Sequence, residues 1–114
     1  MTDCLFCKIA GGLIPTRMVH DDDDVVAFDD INPQAPVHVL VVPNKHIPDL
    51  EAAAEGDPDI VGRMVQVAAR VAGELRFAKN GYRLVLNNGA GAGQIVPHLH
   101  LHVMSGRGFG WPPG

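Results

Sequence analysis

Residues 98–103 read His-Leu-His-Leu-His-Val, so three histidines alternate strictly with three aliphatic residues. Successive side chains of an extended strand point to opposite faces of a sheet. The pattern therefore predicts a strand over 96–104 whose aliphatic face lies in the core and whose other face carries three imidazoles. Histidine is an uncommon choice for the polar face of a strand, so this run also indicates chemistry.

The rest of the chain supplies the other strands of a sheet. Apolar and β-branched runs predict four of them, at 17–20, 25–28, 37–42 and 82–87. The first two are close enough to form a hairpin, with an acidic turn of four aspartates between them. The run at 37–42 is almost unbroken in its apolar character, which is typical of a strand buried on both faces.

Two helices complete the predicted architecture. Apolar residues recur at helical spacing at Ile60, Met64, Val67, Val71 and Leu75. This stripe predicts one long helix that starts at Asp57-Pro58 and ends near 79–81. A short N-terminal helix is predicted over 4–10, with Asp3 as its cap. The fold class is therefore α+β, an antiparallel sheet of about five strands with one long and one short helix.

The length, net charge and hydropathy of the chain limit its domain organisation and the kinds of partner it can bind. A chain of 114 residues is one domain, 1–114, and a single long helix covers only one sheet face, so we expect a homodimer. The formal net charge of −4 argues against a nucleic-acid polymer as partner, because phosphate neutralisation needs a basic face. The sequence contains no export signal and no membrane-spanning run, so we expect no membrane association and a cytoplasmic location.

The three histidines have three interpretations. The first is a polar strand face without a function, the second is a metal site, and the third is a catalytic group. In a straight strand His98 and His102 are about 13 Å apart, too far for one zinc ion with bonds of about 2 Å. Catalysis fits better, because an imidazole with a pKa of about 6.5 is largely neutral and nucleophilic at neutral pH. His100, flanked on both sides, is the candidate nucleophile toward phosphorus. The glycine-rich loop at 88–94 supports this hypothesis, because backbone N–H groups can approach an anion there.

The chain resembles the histidine-triad family, in its HINT branch of nucleotide-binding proteins. The resembling segments are 98–103, 30–36, 43–47, 81–83, Asn87, Gly93-Gln94 and the closing Trp111-Pro112-Pro113-Gly114. The resemblance implies a homodimer with the HIT-like fold that hydrolyses purine nucleoside phosphoramidates, such as an adenylate joined to an amine. It implies no cofactor for catalysis.

The resemblance also implies residue roles. His100 forms the nucleotidyl-histidine intermediate, His98 and His102 support the phosphate and the orientation of His100, and His46 is an additional histidine beside the triad. Asp30 holds the ribose hydroxyls. The remaining implied nucleotide contacts are Asn87, Gly93 and Gln94 near the phosphate and Phe6, Ile9, Ile14, Phe28 and Ile31 around the base. Trp111, in the tail 105–114, is implied to approach the site of the partner subunit.

One position departs from the family pattern. Ile95 stands where the family has Ser or Thr, whose hydroxyl donates to the phosphate or leaving group. Losing such a donor costs about 1.5–3 kcal/mol if nothing replaces it. Two alternatives to a phosphoramidase therefore remain, a dinucleoside polyphosphate hydrolase and a nucleotide-binding adaptor with residual catalysis.

Cys4 and Cys7 have the spacing of metal ligands, but one Cys-x-x-Cys pair is only half of a zinc site. Some branches of the resembling superfamily complete such a site, which here implies His46 and His98. A structural zinc on Cys4, Cys7, His46 and His98 and a pair of reduced, packed thiols are both open. The other histidines, His20 and His38, lie on strands outside the run and are expected to be structural or surface residues.

Overall fold

The computed structural model describes residues 3–114. Its helices and strands follow in the order α1 (Leu5–Ala10), β1 (Met18–Asp21), β2 (Val25–Asp29), β3 (Val37–Pro43), α2 (Leu50–Gly56), α3 (Ile60–Glu74), β4 (Arg83–Val85) and β5 (Leu101–Ser105). The five strands form one antiparallel sheet in the order β1-β2-β3-β5-β4. The predicted α+β class, with a five-stranded antiparallel sheet and one long helix, is confirmed.

Different elements bury the two faces of the sheet. On one face α3 packs its apolar stripe, including Met64 and Val71, against the central strands. On the other face the short helix α1 places Phe6 and Ile9 on side chains of β2 and β3. Burial on both sides explains why β3 is apolar over almost its whole length. No helix within residues 3–114 is long and apolar enough to cross a membrane.

The acidic run forms the predicted turn between β1 and β2. The Asp22 carboxylate accepts the backbone N–H groups of Asp24 and Val25, each at 2.8 Å, and contacts His20 and Arg63 at 2.7 and 2.9 Å. Burial raises the pKa of Asp22, but these hydrogen bonds and the Arg63 charge outweigh it and hold that pKa well below its usual range. The run is therefore a structural turn built on one carboxylate.

The helix boundaries differ from the prediction. No helix is predicted over 50–56, yet this segment forms α2, and Asp49 caps it by accepting the N–H of Ala52 at 2.9 Å. Asp57 and Pro58 lie in the turn after α2, so α3 begins only at Ile60. It ends at Glu74 and not near 79–81, because Arg76 has a left-handed φ of 65° and the N–H of Phe77 donates back to Ala72.

The histidine run is only partly a strand. β5 begins at Leu101, whereas the sequence predicts a strand from 96, so His98 and His100 precede the ladder. His98 and His100 are also buried, because α1 covers that side: the Phe6 ring lies 5.9 Å and 5.0 Å from their ring centroids. β4 is likewise shorter than the predicted 82–87.

Candidate active site

A cavity of about 440 Å³ lies between α1 and the sheet face that carries the histidines. Five side chains predicted to surround a base line it, namely Phe6, Ile9, Ile14, Phe28 and Ile31. Asp30, His100 and His102 line the same cavity. One concave space thus combines an apolar wall with imidazole and carboxylate groups, which is the usual composition of a small-ligand site.

His100 is held in one tautomer. Its Nδ1 lies 2.8 Å from the backbone carbonyl oxygen of His98, so Nδ1 carries the proton and donates it. Nε2 then carries the lone pair, and the described residues offer it no hydrogen-bond partner. The Phe6 ring packs edge-on against the imidazole at 5.0 Å between centroids. Orientation by a carbonyl on one nitrogen and a free lone pair on the other is the arrangement that a nucleophilic imidazole needs.

His102 is oriented by a histidine that the sequence did not assign to the site. His38 Nε2 lies 2.9 Å from His102 Nδ1, and the N–H of Gln34 donates to His38 Nδ1 at 3.0 Å. Since His38 Nδ1 accepts, its proton is on Nε2 and is donated to His102. His102 therefore carries its own proton on Nε2, the nitrogen opposite the His38 contact.

Both of these histidines are neutral at neutral pH. Burial, followed by the charges of His100 and His38, lowers the pKa of His102 to about 4. Burial also lowers the pKa of His38, although the Asp30 carboxylate, 3.5 Å away, acts in the opposite direction. An anion bound beside these rings would favour their protonated forms, so a proton can be gained when ligand binds.

The group Asp30, His38 and His102 has ligand atoms close enough together for a metal ion, but its hydrogen bonds disfavour one. A metal on His38 Nε2 would force the proton onto Nδ1, where it would face the N–H of Gln34. Asp30 is itself fixed by accepting the N–H of Asn32 at 2.9 Å. His38 and His102 therefore form a hydrogen-bonded pair, with the Asp30 carboxylate 3.5 Å from His38 Nε2.

The signal for His38 was available in the sequence. It is the only polar side chain between Val37 and Val42, in a strand predicted to be buried on both faces. A buried polar group needs a hydrogen-bond partner, so a histidine in this strand is predicted to pair with another polar group. Of the two expectations for His38, a surface position is wrong, since the side chain is buried and lines the cavity.

Four residues predicted to contact the nucleotide are not among those that line the cavity: Asn87, Gly93, Gln94 and Trp111. Gln94 instead braces the glycine-rich loop, donating to the carbonyls of Pro48 and Val96 and accepting the N–H of Gly89. Gly93 adopts a left-handed φ of 90°, which favours glycine. Trp111 is 85% exposed. The loop residues shape the segment that leads to His98, and Trp111 does not line this chain's cavity.

His46 and His98 belong to a second group of side chains, together with Cys4 and Cys7. Cys4 Sγ lies 3.3 Å from His98 Nδ1, and Cys7 Sγ lies 3.3 Å from His46 Nδ1 and 3.5 Å from His98 Nδ1. All four ligand atoms lie within 4.8 Å of one another. We call these four residues the Cys-His cluster.

The donor set of the Cys-His cluster fits zinc. Ligands around tetrahedral zinc are separated by about 3.3–3.8 Å, given bonds of about 2.0–2.3 Å. His98 Nε2 donates to the carbonyl of Pro43 at 2.8 Å, which leaves the Nδ1 lone pair facing the thiols and supplies the outer hydrogen bond typical of a metal-bound histidine. Burial and the neighbouring Cys4 raise the pKa of the Cys7 thiol, so the thiolate form is disfavoured. A bound cation would lower that pKa again and favour the thiolate.

Comparison with known proteins places this geometry in a family. The model of the HIT domain matches residues 12–109. An uncharacterized HIT-like protein of Synechocystis is 49% identical over 112 residues, which cover 98% of this chain and 97% of that protein. The purine nucleoside phosphoramidase of Escherichia coli is 42% identical over 108 residues, covering 95% and 91%. The crystal structure of a HIT family hydrolase from Legionella pneumophila has a TM-score of 0.92 and 44% identity, covering 98% of this chain and 100% of that one.

Proposed function

This chain belongs to the HIT domain family, and from that premise we propose that it hydrolyses nucleoside phosphoramidates through a nucleotidyl intermediate on His100. The observation that carries the proposal is the fixed tautomer of His100, which leaves an unshared Nε2 lone pair in a cavity of nucleotide size. The name of the Escherichia coli relative, a purine nucleoside phosphoramidase at 42% identity, supports this reaction class.

The proposed reaction has two balanced steps. In the first, His100 Nε2 forms a bond to phosphorus as the P–N bond to the amine breaks, and the departing amine takes a proton from His102. That proton is available because the bound phosphoryl anion raises the pKa of His102, so the ring takes a second proton from solvent on Nδ1 when substrate binds and is neutral again after giving the Nε2 proton to the amine. In the second, water attacks phosphorus, His102 takes a proton from the water, and the P–Nε2 bond breaks. The products are a nucleoside monophosphate and an amine.

His38 is proposed as a positioning residue. Its Nε2–H donates to His102 Nδ1, so His102 presents the protonated Nε2. Asp30 is proposed to hold the ribose hydroxyls, since its carboxylate lines the cavity beside this pair. The apolar side chains between α1 and β2, such as Phe6 and Phe28, are proposed to sandwich the base.

The charges around the cavity favour a substrate with one phosphoryl group. Of the described residues that line it, none is lysine or arginine, and two are the carboxylates Asp29 and Asp30. A dinucleoside polyphosphate would place several negative charges here without a cation to balance them. This observation disfavours the polyphosphate hydrolase alternative, and a direct comparison of turnover on a diadenosine polyphosphate tests it.

We also propose a homodimer with Trp111 near the partner's site. Trp111 is 85% exposed, and the side chains of the edge strand β4 are only half-buried. A second copy of the chain could therefore bury surface at both places. Light scattering on the purified protein and on Trp111→Ala measures the mass of each; a monomeric wild type contradicts the proposal.

We propose that the Cys-His cluster binds zinc in a structural role. Zinc would link Cys4 and Cys7 of the α1 region to His46 and His98, and so fix the backbone whose carbonyl orients His100. Elemental analysis of the purified protein tests this, with one zinc per chain expected for wild type and a loss in Cys4→Ser. Wild-type protein without zinc, purified free of chelators, overturns it.

The decisive experiment on the reaction compares wild type, His100→Asn and His20→Asn on adenosine 5′-phosphoramidate. His20 lies on β1 outside the cavity and is the matched control. We expect His100→Asn to lose at least about 1,000-fold in kcat while keeping affinity for AMP, because only the nucleophile is removed. Intact mass after acid quench should show an adenylated wild type and no adduct on His100→Asn. Turnover that survives in His100→Asn contradicts the proposal, and a wild type that binds AMP but shows negligible turnover and no adduct would favour an adaptor with residual catalysis.

A further inference from the structure

A second cavity of about 370 Å³ adjoins the first and shares part of its wall. Leu5, Ile95 and Val96 line both cavities. The second cavity is completed by Asp3, Cys4, His46 and Pro97. A ligand in the first cavity therefore meets the second one across these three apolar side chains.

The shared wall is apolar and open to solvent. Ile95 is 91% exposed and Leu5 is 42% exposed, so neither side chain is used to fill the core of this chain. Large exposed aliphatic groups beside a cavity offer apolar area that a ligand can cover. Gln94 braces the backbone just before Ile95 through two donated hydrogen bonds, so the position of this wall is set by the fold.

From this arrangement we propose that the second cavity binds the amine side of the scissile P–N bond, and that Ile95 selects amines that carry an aliphatic or aromatic chain. The inference rests on the proposed function. When His100 Nε2 bonds to phosphorus, the P–N electron pair goes to the amine nitrogen, which takes up a proton, and the amine leaves with its chain in this cavity.

The lining also excludes other occupants. Asp3 is the one carboxyl group of the described lining, which contains no lysine or arginine, so an anionic leaving group is disfavoured. A volume of 370 Å³ equals about twelve water-sized groups at roughly 30 Å³ each, enough for a chain of six or more carbons. The favoured leaving group is a neutral or cationic amine with an apolar chain.

The test uses one substrate series on the purified protein. Adenosine 5′-phosphoramidates carry an unsubstituted amine, an N-propyl group, an N-hexyl group or an N-(5-carboxypentyl) group. For wild type we expect kcat/KM to rise by up to about fourfold per added methylene, which corresponds to burial of apolar surface. The carboxylate-bearing member should be at least about tenfold slower than the N-hexyl member, since its charge cannot be balanced in the cavity.

Two serine variants locate the effect. Ile95→Ser should reduce the N-hexyl preference by about tenfold, because it removes most of the apolar contact area, while hydrolysis of the unsubstituted amide stays equal or rises. Ile31→Ser is the matched control, since Ile31 is 93% exposed and lines only the first cavity. It should change KM for all four substrates by one common factor and leave their ratios intact.

The outcomes separate this inference from the proposed function. A wild type that cleaves all four substrates at equal kcat/KM overturns the second-cavity assignment and leaves the proposed function standing. An equal loss of N-hexyl preference in Ile31→Ser and Ile95→Ser overturns it as well. Failure to cleave any member of the series contradicts the proposed function itself.

Discussion

The two ends of the histidine run lie in different surroundings. His98 is fully buried, and both of its ring nitrogens face protein atoms, the Pro43 carbonyl on one side and two thiols on the other. His100, two residues later, uses one nitrogen for a carbonyl and keeps the other free. The two imidazoles therefore differ in how many ring nitrogens the protein already occupies, and only His100 keeps a lone pair available to a ligand. Changes at the cluster end should alter stability, and changes at the cavity end should alter rate.

The largest expected effect is on rate, at the cavity end. His102→Gln should lower kcat by about 100-fold or more, since it removes the proposed proton donor. The same variant should change the free energy of unfolding by less than about 1 kcal/mol, because His102 is only partly buried and its ring makes one hydrogen bond within residues 3–114, which a glutamine oxygen can accept in its place. Phosphoramidate kinetics and urea unfolding on one preparation measure both. A folded variant with a wild-type kcat removes His102 from the proton transfer.

The next effect is on stability, at the cluster end. Cys7→Ser should lower the free energy of unfolding by about 4 kcal/mol if free zinc is about 1,000-fold above its dissociation constant. A chelator should destabilise wild type by a similar amount. If the metal is bound by the Cys-His cluster, the effects of the substitution and the chelator are not additive, because the chelator should leave the free energy of unfolding of Cys7→Ser unchanged. Equal chelator effects on the two proteins would place the metal elsewhere, and no effect on either would argue for packed thiols.

A smaller effect concerns the ribose. Wild type should prefer an adenosine phosphoramidate over its 2′-deoxy analogue by about tenfold or more, the value of one hydrogen bond to a charged group. In Asp30→Asn that preference should shrink. Asp30 also lies 3.5 Å from His38, so the free energy of unfolding is measured as a control for a loss of stability. A preference that persists in a stably folded Asp30→Asn assigns the ribose contact to another residue.

The smallest effect is the pH dependence of stability. The pKa values of His38 and His102 in the folded protein lie below the unfolded value of about 6.5, that of His102 at about 4. The folded state therefore binds fewer protons, so stability is full above pH 6.5 and declines as the pH falls toward 4. One histidine contributes at most about 1.4 kcal/mol per pH unit. Urea unfolding between pH 7 and 4.5 should show a shallower decline for His102→Gln, and parallel curves contradict the neutral His102.

Much of the fold followed from residue patterns. The alternation and apolar runs located all five strands, and the apolar stripe located the long helix, because both patterns express the burial of one face. The boundaries were less accurate. The helix α2 depends on a cap at Asp49, and the end of α3 depends on a left-handed Arg76, and neither feature has a strong signature in the sequence.

The candidate site divides in the same way. The resemblance grouped the five side chains predicted to surround a base with His100 and His102, and the structure places all of them around one cavity. It did not find His38, and it grouped Gln94 with the phosphate contacts although its amide braces a loop. Such differences arise because a side chain's partner is set by packing between distant segments.

The sequence by itself determined the family, the α+β class and the residue types of the candidate site, because these depend on local pattern and on motif. Tertiary structure alone decided which imidazole faces which partner. Cys4 and His98 are 94 residues apart in the chain, and His38 and His102 are 64 apart, so no local rule relates them. Their contacts form only when α1 and the antiparallel pairing of β3 with β5 bring the segments together. The tautomers, the burial and the second cavity beside Ile95 follow from that packing.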